Sequence, residues 1–144
     1  MFDQLLAGGA TSLLNLIIHA IVMGIVLKML LGMSRRDSPT PQVLQYTVVI
    51  VAVGCLLFAA HFLEILLWAY AYAAVGAAPS GTDLVYFAFG NYTTLGYGNV
   101  LPLDHWRLLA PMTALNGLML IGWSTAYLVG AATRHGPFRQ GEHF

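Results

Sequence analysis

The chain has 144 residues, of which 58% are hydrophobic and only 8% are charged. A soluble domain carries about a quarter charged residues, so this composition excludes an ordinary water-soluble globule and predicts a protein whose solvent is lipid. The formal net charge is zero, which argues against nucleic acid as a partner. Because Cys55 is the one cysteine, an intrachain disulfide is excluded.

Three apolar stretches are long enough to cross a bilayer, whose hydrocarbon core takes about 20 helical residues. They cover residues 12–33, 43–72 and 106–132. Thr11 or Ser12 is expected to cap the first of them, since a hydroxyl can accept hydrogen bonds from the free amides of a helix start. The sequence therefore predicts an all-α membrane protein with three transmembrane helices.

A shorter aromatic segment, residues 82–94, lies between the second and third stretches. It is too short to cross, so we expect a re-entrant half-helix followed by extended chain, which is tolerated at membrane depth where protein or water shields it. Ser80 or Thr82 would cap this helix, with Asp83 in its first turn, where the helix dipole favours an anion. Its aromatic side chains are expected to pack around the chain that follows: Tyr86, Phe87, Phe89 and Tyr92.

Basic residues set the expected orientation. Five lie in or next to the first loop and the tail: Lys28, Arg35, Arg36, Arg134 and Arg139. Arg107 alone falls on the other side. The positive-inside rule then predicts that the first loop and the tail are cytoplasmic and that the N-terminus is outside. Aromatic residues near the expected interfaces are candidates for membrane belts: Tyr46, Trp68, Tyr70, Tyr72 and Trp106.

The most informative motif follows the short segment. It reads Thr93, Thr94, Leu95, Gly96, Tyr97, Gly98, Asn99 and Val100. Backbone carbonyls are neutral, strongly dipolar oxygens that can replace the water shell of a potassium ion. Aiming successive carbonyls along one axis requires conformations that glycine reaches freely, and Gly96 and Gly98 stand at alternate positions. The Thr94 hydroxyl would add a further oxygen ligand.

These residues resemble the selectivity filter of tetrameric potassium channels, whose common form is T-T-V-G-Y-G-D. The Trp-Arg-Leu-Leu that follows and a later Gly-Trp-Ser-Thr are similar to small bacterial ion channels of the same superfamily. The resemblance implies K⁺ bound by the carbonyls of Thr94, Leu95, Gly96 and Tyr97 and by the Thr94 hydroxyl. Since one filter strand supplies one wall, it also implies a homotetramer in the bacterial inner membrane.

The resemblance divides the chain into three parts. Residues 1–42 form an extra transmembrane helix and a cytoplasmic loop, residues 43–133 a pore module, and residues 134–144 a short cytoplasmic tail. The module would consist of an outer helix, a pore helix, the filter and an inner helix. The extra helix is either a peripheral packing element or a contact for an unknown partner.

Two positions depart from the family pattern. Asn99 replaces an outer-mouth aspartate, and Gly90 stands where some members place the glutamate partner of that aspartate. A carboxylate pair bracing the filter is therefore not expected here, and the outer mouth should attract cations less strongly. Leu95 in place of valine adds volume to be packed beside the strand.

Glu64 is the acidic residue that needs an explanation, because a carboxylate inside a spanning helix is costly and usually paired or functional. His61 lies one turn earlier on the same face. Three interpretations stay open: a paired polar cluster, a substitute brace reaching the back of the pore helix near Tyr92 and Thr93, and a metal site. His19 in the first helix is expected to be structural.

The inner helix is expected to line the cavity below the filter. Gly117 and Gly122 are candidates for either hinge or close-packing positions. Its polar residues are candidate cavity groups: Thr113, Asn116, Ser124 and Thr125.

A potassium-selective channel is the preferred function, with a non-selective cation channel or a non-conducting scaffold or regulatory subunit as alternatives. An enzyme is not expected, because the sequence offers no nucleophile–base set and no strong metal spacing. No cofactor is expected beyond K⁺ in the filter. The expected partners are lipid and further copies of the chain. Spaced arginines of a voltage sensor are absent from the first two spans.

Overall fold

The computed structural model describes residues 1–34, 42–96 and 100–135. The elements within these ranges are all helical. In chain order they are α1 (Phe2–Ser34), α2 (Gln42–Val75), α3 (Leu84–Tyr92), a 3₁₀ turn (Asp104–Trp106) and α4 (Leu109–His135). The first loop, the tail beyond residue 135 and the predicted filter and mouth residues Tyr97, Gly98 and Asn99 lie outside the described residues.

Three segments are long and apolar enough to cross a membrane: Phe2–Gly32, Val43–Val75 and Asp104–Ala132. This confirms the three predicted spans and lengthens the first. The prediction of a cap at Thr11 or Ser12 was wrong, because α1 begins at Phe2. Thr11 lies inside the helix, where its hydroxyl donates to the Ala7 carbonyl oxygen at 2.8 Å, a bond that satisfies a hydroxyl in mid-helix.

The long helices form a bundle in which α1 packs against both α2 and α4. The short helix α3 is wedged between α2 and α4. One apolar cluster joins α1, α2 and α4 around Val26 and Val53, both fully buried. A second cluster surrounds α3, with Trp68 and Tyr92 at its centre. The extra helix is thus packed on the two helices that hold α3.

Asp83 determines where α3 begins. Its side chain accepts hydrogen bonds from the backbone amides of Val85 at 3.1 Å and Tyr86 at 3.0 Å. Asp83 is therefore the N-cap itself, and the predicted caps, Ser80 and Thr82, were wrong. A carboxylate serves better here, since it both accepts the free amides and stabilises the positive end of the helix dipole.

The helix α3 ends earlier than the predicted 82–94. Its last residue is Tyr92, and Thr93 follows as the C-cap. The Thr93 amide donates to the Phe89 carbonyl oxygen at 3.0 Å, and its hydroxyl donates to the same oxygen at 2.7 Å. The helix therefore ends at Tyr92, and residues 93 and 94 form the turn that follows it.

Two of the predicted belt residues lie inside the bundle. Trp68 and Tyr72 are fully buried, whereas Tyr70 is 70% exposed. Residues four apart share a helix face, and the residue between them points away. The belt prediction was thus wrong for Trp68 and Tyr72, whose polar atoms are bonded within the bundle.

Two aromatic side chains of α3 pack against α2. The Phe87 ring packs on Tyr72 with centroids 4.9 Å apart, and Phe89 packs on Phe62 at 5.9 Å. Tyr86 is 58% exposed. The rings of Phe87 and Phe89 thus bind α3 to α2. The packing of the α3 aromatic residues around the filter stays a prediction, because Tyr97 and Gly98 lie outside the described residues.

Candidate functional site

Glu64 occupies the centre of a polar cluster in the apolar bundle. It is fully buried. Its Oε1 lies 2.9 Å from Nδ1 of His19, and its Oε2 lies 2.9 Å from Nδ1 of His61. The Tyr92 hydroxyl donates to Oε2 at 2.5 Å. A buried carboxylate is tolerable only with such partners, and here they come from α1, α2 and α3.

Ser124 closes the cluster from α4. Its Oγ lies 3.1 Å from Nε2 of His61 and 3.2 Å from Nε2 of His19. Each imidazole therefore faces the carboxylate with one nitrogen and the hydroxyl with the other. All four helices meet at these five side chains, which we call the Glu64 cluster: His19, His61, Glu64, Tyr92 and Ser124.

The electrostatics of the cluster favour Tyr92 as a donor. Burial raises the pKa of the Tyr92 hydroxyl, and its hydrogen bond to the Glu64 carboxylate raises that pKa further. The phenol therefore keeps its proton and donates a hydrogen bond to Oε2. This contact joins α2 to the last residue of α3, one residue before the cap at Thr93.

A second polar layer lies beside the cluster. The Asn15 side-chain amide donates to the backbone oxygen of Glu64 at 3.3 Å and to Oδ1 of Asn116 at 2.9 Å. The Trp68 indole N–H donates to the same Oδ1 at 3.0 Å. Sequence reasoning did not find Asn15, although Asn15 and His19 stand one turn apart on one face of an apolar helix.

The predicted cavity residues of α4 belong mostly to this packing. Thr113, Asn116 and Ser124 are buried, so their assignment to a wet cavity was wrong. Thr113 is bonded to the Tyr72 hydroxyl at 2.7 Å. Buried polar groups need partners, and α1 and α2 supply them for the two hydroxyls and for Oδ1 of Asn116. Thr125 is exposed, with its hydroxyl on the Ile121 carbonyl oxygen at 2.9 Å.

Gly117 and Gly122 differ in their surroundings. A Cβ at Gly117 would overlap the Tyr92 carbonyl oxygen and lie 2.9 Å from its carbonyl carbon. A Cβ at Gly122 would meet nothing within 4 Å. The geometry at Gly117 thus favours close packing of α4 against the end of α3.

We refer to residues 93–96 as the strand after α3, although they begin with a turn and are not a β-strand. Two of them, at alternate positions, are left-handed. Gly96 has φ +64°, which its lack of a Cβ allows, and Thr94 has φ +58°. A β-branched residue rarely adopts this conformation, which costs about 1–2 kcal/mol. The Thr94 amide donates to the Asn91 carbonyl oxygen at 3.1 Å, and the Gly96 amide to the Gly90 carbonyl oxygen at 3.3 Å.

The strand has little side-chain support from its own α3. A Cβ at Gly90 would meet nothing within 4 Å, and Leu95 is 57% exposed. Gly90, Gly96 and Val100 help to line an open cavity of about 540 Å³ beside the strand. Within one chain, residues 93–96 are exposed.

Three apolar spans around a short inserted helix define an integral membrane protein. The residues matched by a family model extend from the first turns of α2 almost to the end of α4, at 50–134, and the family is described as ion channel. The chain belongs to this ion channel family. A search of the curated proteins and a search of the solved structures returned no match.

Proposed function

We propose that the protein is a potassium-selective channel, with α3 as its pore helix and residues 94–98 as its filter. The observation that carries this proposal is the strand after α3, where Thr94 and Gly96 have positive φ at alternate positions. Such alternation turns successive carbonyls toward a common side, which suits the coordination of a dehydrated cation. The partial negative charge at the C-terminal end of α3 favours a cation there as well.

The proposed pore is a homotetramer. One strand supplies one wall of a filter, and closed cyclic symmetry brings four identical strands to one axis. The exposure of residues 93–96 in a single chain supports this assembly, because polar backbone at membrane depth needs protein, ion or water beside it. The filter would hold K⁺ as cargo, with the N-terminus outside and the tail in the cytoplasm of a bacterial cell.

Glu64 is the proposed support of the filter. Gly90 offers no side chain for a carboxylate brace behind the strand, whereas Glu64 holds Tyr92 from α2. Tyr92 in turn fits against Gly117 of α4. The position of residue 94 is therefore set by the contacts of residue 92, two positions earlier, and the support reaches the filter through the end of α3.

The test is a reversal-potential measurement on purified protein in planar bilayers, with K⁺ on one side and Na⁺ on the other. A reversal potential close to the K⁺ equilibrium value is expected. A matched variant is Gly96→Ala, which places a Cβ at positive φ and should abolish selective current. Equal permeabilities in the unaltered protein would favour a non-selective cation channel, for which Asn99 and Gly90 leave room. Absence of flux would favour a non-conducting subunit.

A further inference from the structure

We propose that His19, His61 and Glu64 bind a divalent transition-metal ion of the Zn²⁺ class. One donor atom from each of the three residues lies within 4.8 Å of the others. Two imidazole nitrogens and one carboxylate oxygen are a ligand set that zinc uses, at about 2.0–2.2 Å. The site goes beyond ion conduction, because it would join α1 to α2 whether or not the pore conducts.

The donor atoms of the three residues are already close together, each within 4.8 Å of the others. Nδ1 of His19 and Nδ1 of His61 each approach a carboxylate oxygen of Glu64 at 2.9 Å. Ligands of a tetrahedral zinc ion stand about 3.3 Å apart, given bond lengths of about 2.0–2.1 Å. The change from N–H···O contacts to a shared ion therefore requires only small side-chain movements.

The position of Ser124 supports the metal site independently of the ligand distances. A histidine that ligates a metal through Nδ1 carries its proton on Nε2, and metal-binding histidines usually donate that proton to an oxygen. Both Nε2 atoms face the Ser124 Oγ, at 3.1 and 3.2 Å. A hydroxyl oxygen has two lone pairs, so it accepts both N–H groups at once.

The proposed site leaves the contact between Glu64 and Tyr92 intact, and one of its ligands reaches the surface of the chain. Ligation through Oε1 leaves Oε2 to accept from the Tyr92 hydroxyl. The His61 side chain is 18% exposed, whereas those of His19 and Glu64 are fully buried. His61 is thus the ligand nearest the surface of the chain.

Calorimetric titration of the full-length protein in detergent with ZnCl₂ tests the proposal, using a chain that carries no histidine tag. One Zn²⁺ per chain is expected. His19→Gln and His61→Gln should each weaken binding at least tenfold. Ser124→Ala should weaken it about 10- to 100-fold, the usual effect of losing an outer-shell partner. The matched control is His105→Gln, which alters an exposed histidine in the 3₁₀ turn and should leave binding unchanged.

A spectroscopic measurement keeps the test independent of variants that fail to fold. Co²⁺ bound to the unaltered protein should show the absorption of a tetrahedral nitrogen and oxygen site, and Zn²⁺ should displace it. Equal zinc binding by the unaltered protein and His19→Gln would overturn the proposal, as would the absence of both zinc binding and a cobalt spectrum. Neither experiment measures flux, so their failure is distinguishable from failure of the proposed channel function.

Discussion

The Glu64 cluster and the strand after α3 are two polar regions that differ in how far a single chain satisfies and covers their polar groups. Both carboxylate oxygens of Glu64 are hydrogen-bonded within one chain, by partners from three helices. Residues 93–96, in contrast, are exposed. A single chain thus completes the Glu64 cluster, the proposed support, whereas the proposed ion site needs other copies.

The physical reason for this difference is the cost of unsatisfied polar groups in a membrane. A buried carboxylate without partners costs several kcal/mol, so its partners must be present whenever the bundle is folded. Filter carbonyls can instead be satisfied by an ion, by water or by neighbouring strands. Variants of the Glu64 cluster should therefore change both stability and ion selection, whereas variants of the proposed filter should change ion selection with little effect on stability.

The largest effect is expected from Gly117→Ala. Its Cβ would overlap the backbone oxygen of Tyr92, and backbone cannot move aside as a flexible side chain can. The cost should exceed the about 1–3 kcal/mol of ordinary overpacking, so assembled protein and current should both be lost. Size-exclusion chromatography of the purified protein checks this. Gly24→Ala, at an open position of α1, is the matched control and should assemble normally.

Glu64→Gln should have the next largest effect. It keeps the side-chain volume but replaces the carboxylate by a neutral amide, which weakens its hydrogen bonds, and a hydrogen bond to a charged group is worth about 1.5–3 kcal/mol. We expect assembly to persist and the K⁺/Na⁺ permeability ratio to fall about tenfold, the factor that 1.4 kcal/mol represents. A ratio equal to that of the unaltered protein would show that Glu64 does not support the filter.

Tyr92→Phe should weaken the same support more selectively. It removes the hydroxyl that donates to Glu64, a hydrogen bond to a charged group worth about 1.5–3 kcal/mol. Tyr72→Phe is the matched control, because its hydroxyl contacts Thr113 and Asn91 instead. The midpoint temperature of thermal unfolding should fall in both variants. The reversal potential should change only with Tyr92→Phe. A double-mutant cycle with Glu64→Gln should then give a coupling energy well above zero.

Asp83→Ala tests the start of α3. Loss of the two cap bonds should cost about 0.5–2 kcal/mol, measured as a lower midpoint of thermal unfolding. Asp83→Asn keeps a good capping oxygen and should recover most of that loss. If Asn behaves like Ala, the charge of Asp83 matters more than its cap bonds.

Asn99→Asp should have the smallest effect on stability. Four added carboxylates at the outer mouth would raise the local K⁺ concentration by charge attraction, which salt screens. Single-channel current should rise about twofold at low K⁺ and converge with that of the unaltered protein at high K⁺. Identical currents at low K⁺ would contradict the expected weak attraction at this mouth.

The sequence predicted some features of this fold and missed others. The apolar lengths predicted the three spans because a bilayer sets a minimum helix length. Because a carboxylate is rare in such a span, the sequence also indicated that Glu64 is paired or functional. The sequence did not predict that Trp68 and Tyr72 face inward, because an apolar helix has no polar face to mark its orientation. For the same reason, Thr113 and Asn116 were assigned to a cavity instead of to packing.

The sequence by itself determined that this is an integral membrane protein, that it has three spans and that a glycine motif follows a short helix. Those properties follow from local composition and from the conformations that single residues allow. Only the tertiary structure decided that His19, His61, Glu64, Tyr92 and Ser124 meet at one point. They come from four helices, and which faces of those helices turn toward one another depends on packing between segments far apart in the chain.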